Sequence, residues 1–134
     1  MAEFLPVDPF NIVIFGGTGD LARRKLLPAL FHRWRDGQIP ETSRILGSAR
    51  SDMDPTDYIK LAEAACKDAT SESEWSDNDW QQFARMVDYQ VLDATALDAD
   101  WSGLKAKLDS RHKTSIYYMA TAPRLYVDVA KALD

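Results

Sequence analysis

The residues best suited to chemistry stand together in IVIFGGTGDLA, 12–22. Gly16, Gly19 and Ala22 fall at the spacing G-x-x-G-x-x-A, with Gly17 and Thr18 between the first two. Gly16 allows a tight turn out of a strand, and Gly19 lets backbone approach a ligand closely. Ala22 lets the following helix pack near the sheet. The leading amides of that helix and the positive end of its dipole suit an anion such as a pyrophosphate. The same turn would also serve a strand that merely reverses direction. Asp20 and Leu21 open the helix, and an acid in a first turn stabilises it by about 0.3–1 kcal/mol. Arg23, Arg24 and Lys25 follow at once. They could neutralise Asp20 and a ligand's phosphates, or form a solvated face. Lys25 lies one turn beyond Leu21.

A second informative place is Ser48-Ala49-Arg50-Ser51. An enzyme of the NAD type usually carries Asp or Glu at the end of its second strand, bonded to the ribose hydroxyls. Arg50 instead offers charge-assisted, often bidentate bonds to a 2′-phosphate, with Ser51 beside it. This chemistry favours NADP, although a surface arginine in a loop reads the same way by position. Ligands of open α/β sheets lie beyond the carboxyl ends of strands. Asp93 and Ala94 follow the third strand, and Ala120 and Pro123 the fourth, with Tyr126 a turn later. These could line a dinucleotide, or cap helices and form turns. His32 reads as a helix-surface residue, and His112 sits in a charged turn. Cys66 reads as a small core residue. Trp75, Trp80 and Trp101 read as packing.

The elements that must hold these residues alternate. The runs 12–15, 44–49, 86–92 and 115–120 read as strands, the first being an apolar run buried on both faces. Helical patterns cover 20–35, 55–67, 80–85, 98–108 and 123–133. In the first, Leu27, Leu30, Phe31 and Trp34 form an apolar stripe, Pro28 should bend it, and Gly37 should stop it. Asp54-Pro55 reads as an N-cap and first helical residue. Residues 70–79 read as a polar loop. The β-α-β-α order predicts an α/β fold: a Rossmann-type, doubly wound parallel sheet in three layers. Such a fold usually has six strands. About four are counted here, so residues 1–134 read as one incomplete domain.

Bulk composition sets outer bounds. The chain has 134 residues, 46% hydrophobic and 28% charged, with a formal net charge of −5. Nothing suggests the basic face of a nucleic-acid binder. One cysteine precludes an internal disulfide and fits a reducing, cytoplasmic setting. The N-terminal MAEFLPVDPF has no signal-peptide pattern, and no apolar run approaches the roughly 20 residues of a membrane helix. No metal cluster is expected.

The segment FGGTGDLARRKLLPALF, 15–31, closely resembles the opening of the glucose-6-phosphate dehydrogenase family. RDGQIP (35–40), SARS (48–51) and SIYYMATAPRLY (115–126) resemble further parts of that family, so the likeness spans nearly the whole chain. It implies an N-terminal NADP-binding domain. Gly16, Gly17, Thr18, Gly19, Asp20, Leu21, Ala22 and Arg23 would form the coenzyme turn. Arg50 and Ser51 would hold the 2′-phosphate. Asp93, Ala94, Ala120 and Tyr126 would lie along the coenzyme. Lys25 would sit where coenzyme and glucose 6-phosphate meet. One departure is Thr121-Ala122-Pro123, where the family often has Leu-Pro-Pro. The family's Glu-Lys-Pro-Phe-Gly and Asp-His-Tyr-Leu-Gly-Lys-Glu segments do not occur. The resemblance puts the general base in a larger C-terminal domain, so no catalytic residue is assigned and the chain alone is expected to be inactive. The family likeness also implies a homo-oligomer for the full-length enzyme only. Two rivals are a stand-alone dinucleotide-binding module and a short-chain reductase. The second needs Tyr-x-x-x-Lys, and no tyrosine of this chain has lysine four residues on.

Overall fold

The computed structural model describes residues 9–92, 101–108 and 114–119. Its strands are β1 (Phe10–Phe15), β2 (Arg44–Ala49), β3 (Val87–Val91) and β4 (Thr114–Met119). Its helices are α1 (Leu27–Arg35), α2 (Pro55–Asp68), α3 (Asp77–Ala84) and α4 (Ser102–Lys107), and a π-helical turn (Ala22–Leu26) leads into α1. All strand pairs are parallel, in the order β3-β2-β1-β4. That is the expected doubly wound arrangement. Among the described residues no helix is long and apolar enough to cross a membrane.

β1 is central because its side chains are apolar on both faces. Ile12 and Ile14 pack into a cluster with Leu27, Phe31, Tyr58, Ala62, Cys66 and Phe83, from α1, α2 and α3. Val13 and Phe15 point the other way, to Leu46, Leu92 and Leu104 under α4. Two cores on one sheet give the three layers. β4, by contrast, exposes Ile116, Tyr117 and Tyr118. On the α1 side, Phe31 lies 5.5 Å from both Trp75 and Trp80 and 5.3 Å from Phe83, centroid to centroid. The tryptophans there are packing residues, as expected. Such ring pairs contribute about 0.5–1.5 kcal/mol each beyond burial, which ties α3 to α1.

Several boundaries differ from the sequence reading. Pro28 falls where a π-helical turn passes into α1 rather than inside one continuous α-helix. Lacking an N–H, it cannot close a bond to the carbonyl four residues back. The chain instead forms a wider turn, in which Leu27 N–H reaches Ala22 O, five residues back. Pro28 then sits in the first turn of α1, where no donor is required. Gly37 does end the helix, at φ +80°. Its N–H donates to Trp34 O and that of Gln38 to Arg33 O, the paired bonds of a Schellman cap. α2 starts as expected, with Asp54 Oδ1 accepting from Asp57 N–H at 2.9 Å. α3 begins at Asp77, inside the expected loop, because Ser76 Oγ accepts from Asp79 N–H at 3.2 Å and caps it. His32 is half-buried against Thr70, Nε2 to Oγ1 2.9 Å, rather than free on the helix surface. Residues 98–100, 120 and 123–133 of the expected elements, and His112, lie outside the described residues.

α2 meets the sheet through Tyr58, whose ring crosses β2 where Gly47 has no side chain. A Cβ on Gly47 would lie 2.3 Å from Tyr58 Cζ. Gly47→Ala is therefore expected to cost about 1–3 kcal/mol through overpacking, read from denaturant unfolding; an unchanged midpoint would contradict this packing. Burial raises the Tyr58 hydroxyl above the ordinary tyrosine value of 10.0, with Tyr89 adding to the shift. The native state thus favours the neutral phenol. That contribution is complete below pH 10 and is lost as pH climbs further. Tyr58→Phe should flatten the fall of stability with pH above 10; an equal slope in both proteins would refute it.

Candidate functional site

The site begins where β1 ends. Gly16 takes φ +77°, a left-handed turn open to glycine at little cost. The next bonds tie this turn to the neighbouring strand: the N–H groups of Gly16 and Gly17 both donate to Ser48 O, at 2.8 and 3.0 Å. These two amides are therefore occupied, which leaves the leading amides of the helix as the ones the sequence offers to an anion. Gly19 N–H closes back on Gly16 O at 3.0 Å, and Arg23 N–H on Gly19 O at 3.1 Å. The amides of Asp20, Leu21 and Ala22 lead the helix ahead of that first intrahelical donor. They have no acceptor four residues back within the helix. Ala22 is fully buried, which lets the helix start come close to the sheet.

The end of β2 comes to the same place. Thr18 Oγ1 and Ser51 Oγ are 3.4 Å apart. Arg50 is exposed between β2 and Ser51. The structure thus brings together Gly16, Gly17, Thr18, Gly19, Asp20 and Ser51, with Arg50 beside them. Arg23 Nη2 pairs with Asp20 Oδ1 at 2.8 Å, but the side chains are 47% and 71% exposed. Such a surface pair is worth about 0–1 kcal/mol, little enough for an anion to draw Arg23 away. Leu21, Arg24 and Lys25 are exposed. A cleft of about 450 Å³ opens beside the turn, lined by Asp20, Arg23 and Arg24 and by Leu61, Ala65 and Asp68 of α2. Arg50 and Ser51 are not part of it. Asp93, Ala94, Ala120 and Tyr126 lie outside the described residues.

Two residues that support this site escaped the sequence reading. Tyr58 OH donates to Gly17 O at 3.0 Å. Tyr89 OH lies 2.7 Å from Ser51 O and 3.2 Å from Ala49 O. Burial raises the Tyr89 hydroxyl as well, with Asp52 adding to it. The available signal was Gly47: a glycine inside a strand often marks the close approach of another group.

The chain matches known proteins over nearly all its length. The family model for the glucose-6-phosphate dehydrogenase NAD binding domain matches residues 13–134. Glucose-6-phosphate 1-dehydrogenase of Rhizobium meliloti (strain 1021) is 35% identical over 133 residues, 98% of this chain and 27% of that protein. The enzyme of the same name from Gluconobacter oxydans (strain 621H) is 38% identical over 136 residues, covering 100% of this chain and 28% of its own. A solved glucose-6-phosphate dehydrogenase in complex with its substrate glucose-6-phosphate superposes with a TM-score of 0.79 and 28% identity, over 99% of this chain and 28% of that one. The chain therefore spans little more than a quarter of the length of these relatives. With a strand–glycine-turn–helix site on a parallel sheet and a family match from Val13 to Asp134, the chain belongs to the glucose-6-phosphate dehydrogenase NAD-binding domain family.

Proposed function

We propose that this chain carries the coenzyme site of a glucose-6-phosphate dehydrogenase and that its coenzyme is NADP. The observation behind this reading is the convergence of the glycine turn on the end of β2, with Thr18 and Ser51 hydroxyls 3.4 Å apart. The residues fit such a group. The turn closes only with small residues, since a Cβ on Gly17 would fall 2.9 Å from the Tyr58 hydroxyl and 3.1 Å from Gly47 Cα. The amides of Asp20, Leu21 and Ala22 would hold the pyrophosphate at the helix start. Arg50, flanked by the hydroxyls of Thr18 and Ser51, would hold the 2′-phosphate. An acid in place of Arg50 would repel it.

Further assignments follow the family likeness. Asp93, Ala94, Ala120 and Tyr126 would lie along the coenzyme. Lys25, exposed on the π-helical turn, would stand where coenzyme and sugar phosphate meet. The reaction of the parent enzyme would be oxidation of the glucose 6-phosphate C1 hydroxyl to a lactone. NADP, when bound, supplies the hydride acceptor for it. This chain's part is to bind and orient. His32 is engaged with Thr70 at the end of α2, so it is not assigned as a base. The general base and the rest of the sugar site would come from the larger remainder of such an enzyme, in a cytoplasmic homo-oligomer.

A calorimetric titration with NADP and NAD tests this reading. Arg50→Ala should weaken NADP binding about 10- to 100-fold, the scale of a lost charge-assisted bond, and leave NAD nearly unchanged. Equal weakening of both would remove Arg50 from the 2′-phosphate, and binding of neither by the parent chain would count against a coenzyme site in it.

A further inference from the structure

Two buried tyrosines meet beneath the two loops of the site. The rings of Tyr58, on α2, and Tyr89, on β3, stack 4.8 Å apart with 27° between their planes. Their hydroxyls go to different loops. Tyr58 OH donates to Gly17 O in the glycine turn. Tyr89 OH donates to Ser51 O, and also lies within reach of Ala49 O, at the end of β2. Core filling alone would not ask for either hydroxyl. Phenylalanine would occupy nearly the same volume and bury no polar group. The backbone also makes way for one of the rings: Gly47 and Gly17 leave the space through which Tyr58 reaches the turn. Tyr89 is itself held at its backbone, where its carbonyl accepts a hydrogen bond from Lys107 Nζ of α4.

Each phenol thus fixes one loop carbonyl, and the stack fixes the phenols relative to each other. We infer that Tyr58 and Tyr89 form a paired positioning device: Tyr58 sets the glycine turn, which faces the pyrophosphate, and Tyr89 sets the Arg50–Ser51 loop, which faces the 2′-phosphate. This inference rests on the coenzyme reading above. It divides the labour. The Tyr89 hydroxyl governs discrimination between NADP and NAD, because only NADP carries the group its loop meets. The Tyr58 hydroxyl governs affinity for both, because both carry the pyrophosphate. Both tyrosines are buried, Tyr58 fully and Tyr89 at 1% exposed. Their effect is geometric, of the kind in which a small misplacement of a supporting shell weakens a site.

The experiment compares the full chain with Tyr58→Phe and Tyr89→Phe, which keep the ring stack. Hydrogen exchange of the ligand-free proteins is read at both loops, and NADP and NAD are titrated into each. Tyr89→Phe should weaken NADP about 3- to 10-fold, the scale of one lost hydrogen bond, leave NAD unchanged and speed exchange only around 50–53. Tyr58→Phe should weaken both dinucleotides by the same factor and speed exchange around 17–22. Parent-like exchange at both loops overturns the device, as does a Tyr89→Phe effect equal for NADP and NAD. If the parent binds neither dinucleotide, the coenzyme reading falls. The exchange data then decide the positioning alone: loop-specific acceleration upholds it, and none refutes it.

Discussion

The carbonyl of Ser48 accepts two amides, from Gly16 at 2.8 Å and from Gly17 at 3.0 Å. Much of the site depends on that doubled bond. It ties the exit of β1 to the last residues of β2, so the glycine turn starts from a fixed point beside the Arg50–Ser51 loop. It also sets the chain's direction. Once Gly16 has turned with φ +77°, the backbone must rise away from the sheet and start a helix. Beyond it stand the leading amides of the helix, those of Asp20, Leu21 and Ala22. A donor already committed to a strand carbonyl is a poor donor to phosphate, so in the proposed coenzyme site the pyrophosphate would meet amides a few residues further on than Gly16 and Gly17.

The layers around this bond hold it in place. β1 is flanked by β2 and β4 and covered on both faces, with Val13 and Ile14 fully buried in separate clusters. Each buried aliphatic or aromatic side chain of this kind contributes about 1.5–3 kcal/mol. The turn therefore leaves a rigid strand rather than a mobile loop. The first helix is less regular. Its wide turn at Ala22–Leu26 carries Arg23, Arg24 and Lys25 outward, while Ala22 stays buried. π-helical turns of this sort are frequent at functional sites. Here Pro28 gives the turn a covalent cause.

The fold was legible because its strands are short and bounded by turn residues. Ile12–Phe15 is an apolar run, Arg44–Ala49 carries Ile45 and Leu46 at its centre, and both lie in strands of the structure. Their order, alternating with helical stripes, leaves few topologies, and a parallel sheet is the one that buries both faces of β1. Helix starts were legible where a cap stood beside proline, as at Asp54-Pro55. They were hidden where the cap sat in a polar stretch: Ser76 begins α3 but resembles any serine of the loop before it. The glycine turn and Arg50 could be read directly, since their chemistry is local. Tyr58 and Tyr89 could not. They lie 31 positions apart, 58 against 89, and only the folded sheet shows that one ring stacks on the other and that each hydroxyl serves a different loop. The committed amides of Gly16 and Gly17 were hidden for the same reason, because their acceptor lies on another strand.

In the proposed function the dinucleotide sits where the glycine turn meets the end of β2. The most direct measurement is the amide spectrum of the isotopically labelled chain as NADP is added. Shifts are expected to concentrate at Thr18–Ala22 and at Arg50–Ser51, with the amides of α3 unmoved. Shifts gathered instead along α2 at Leu61–Asp68, or no shifts at saturating NADP, would contradict it.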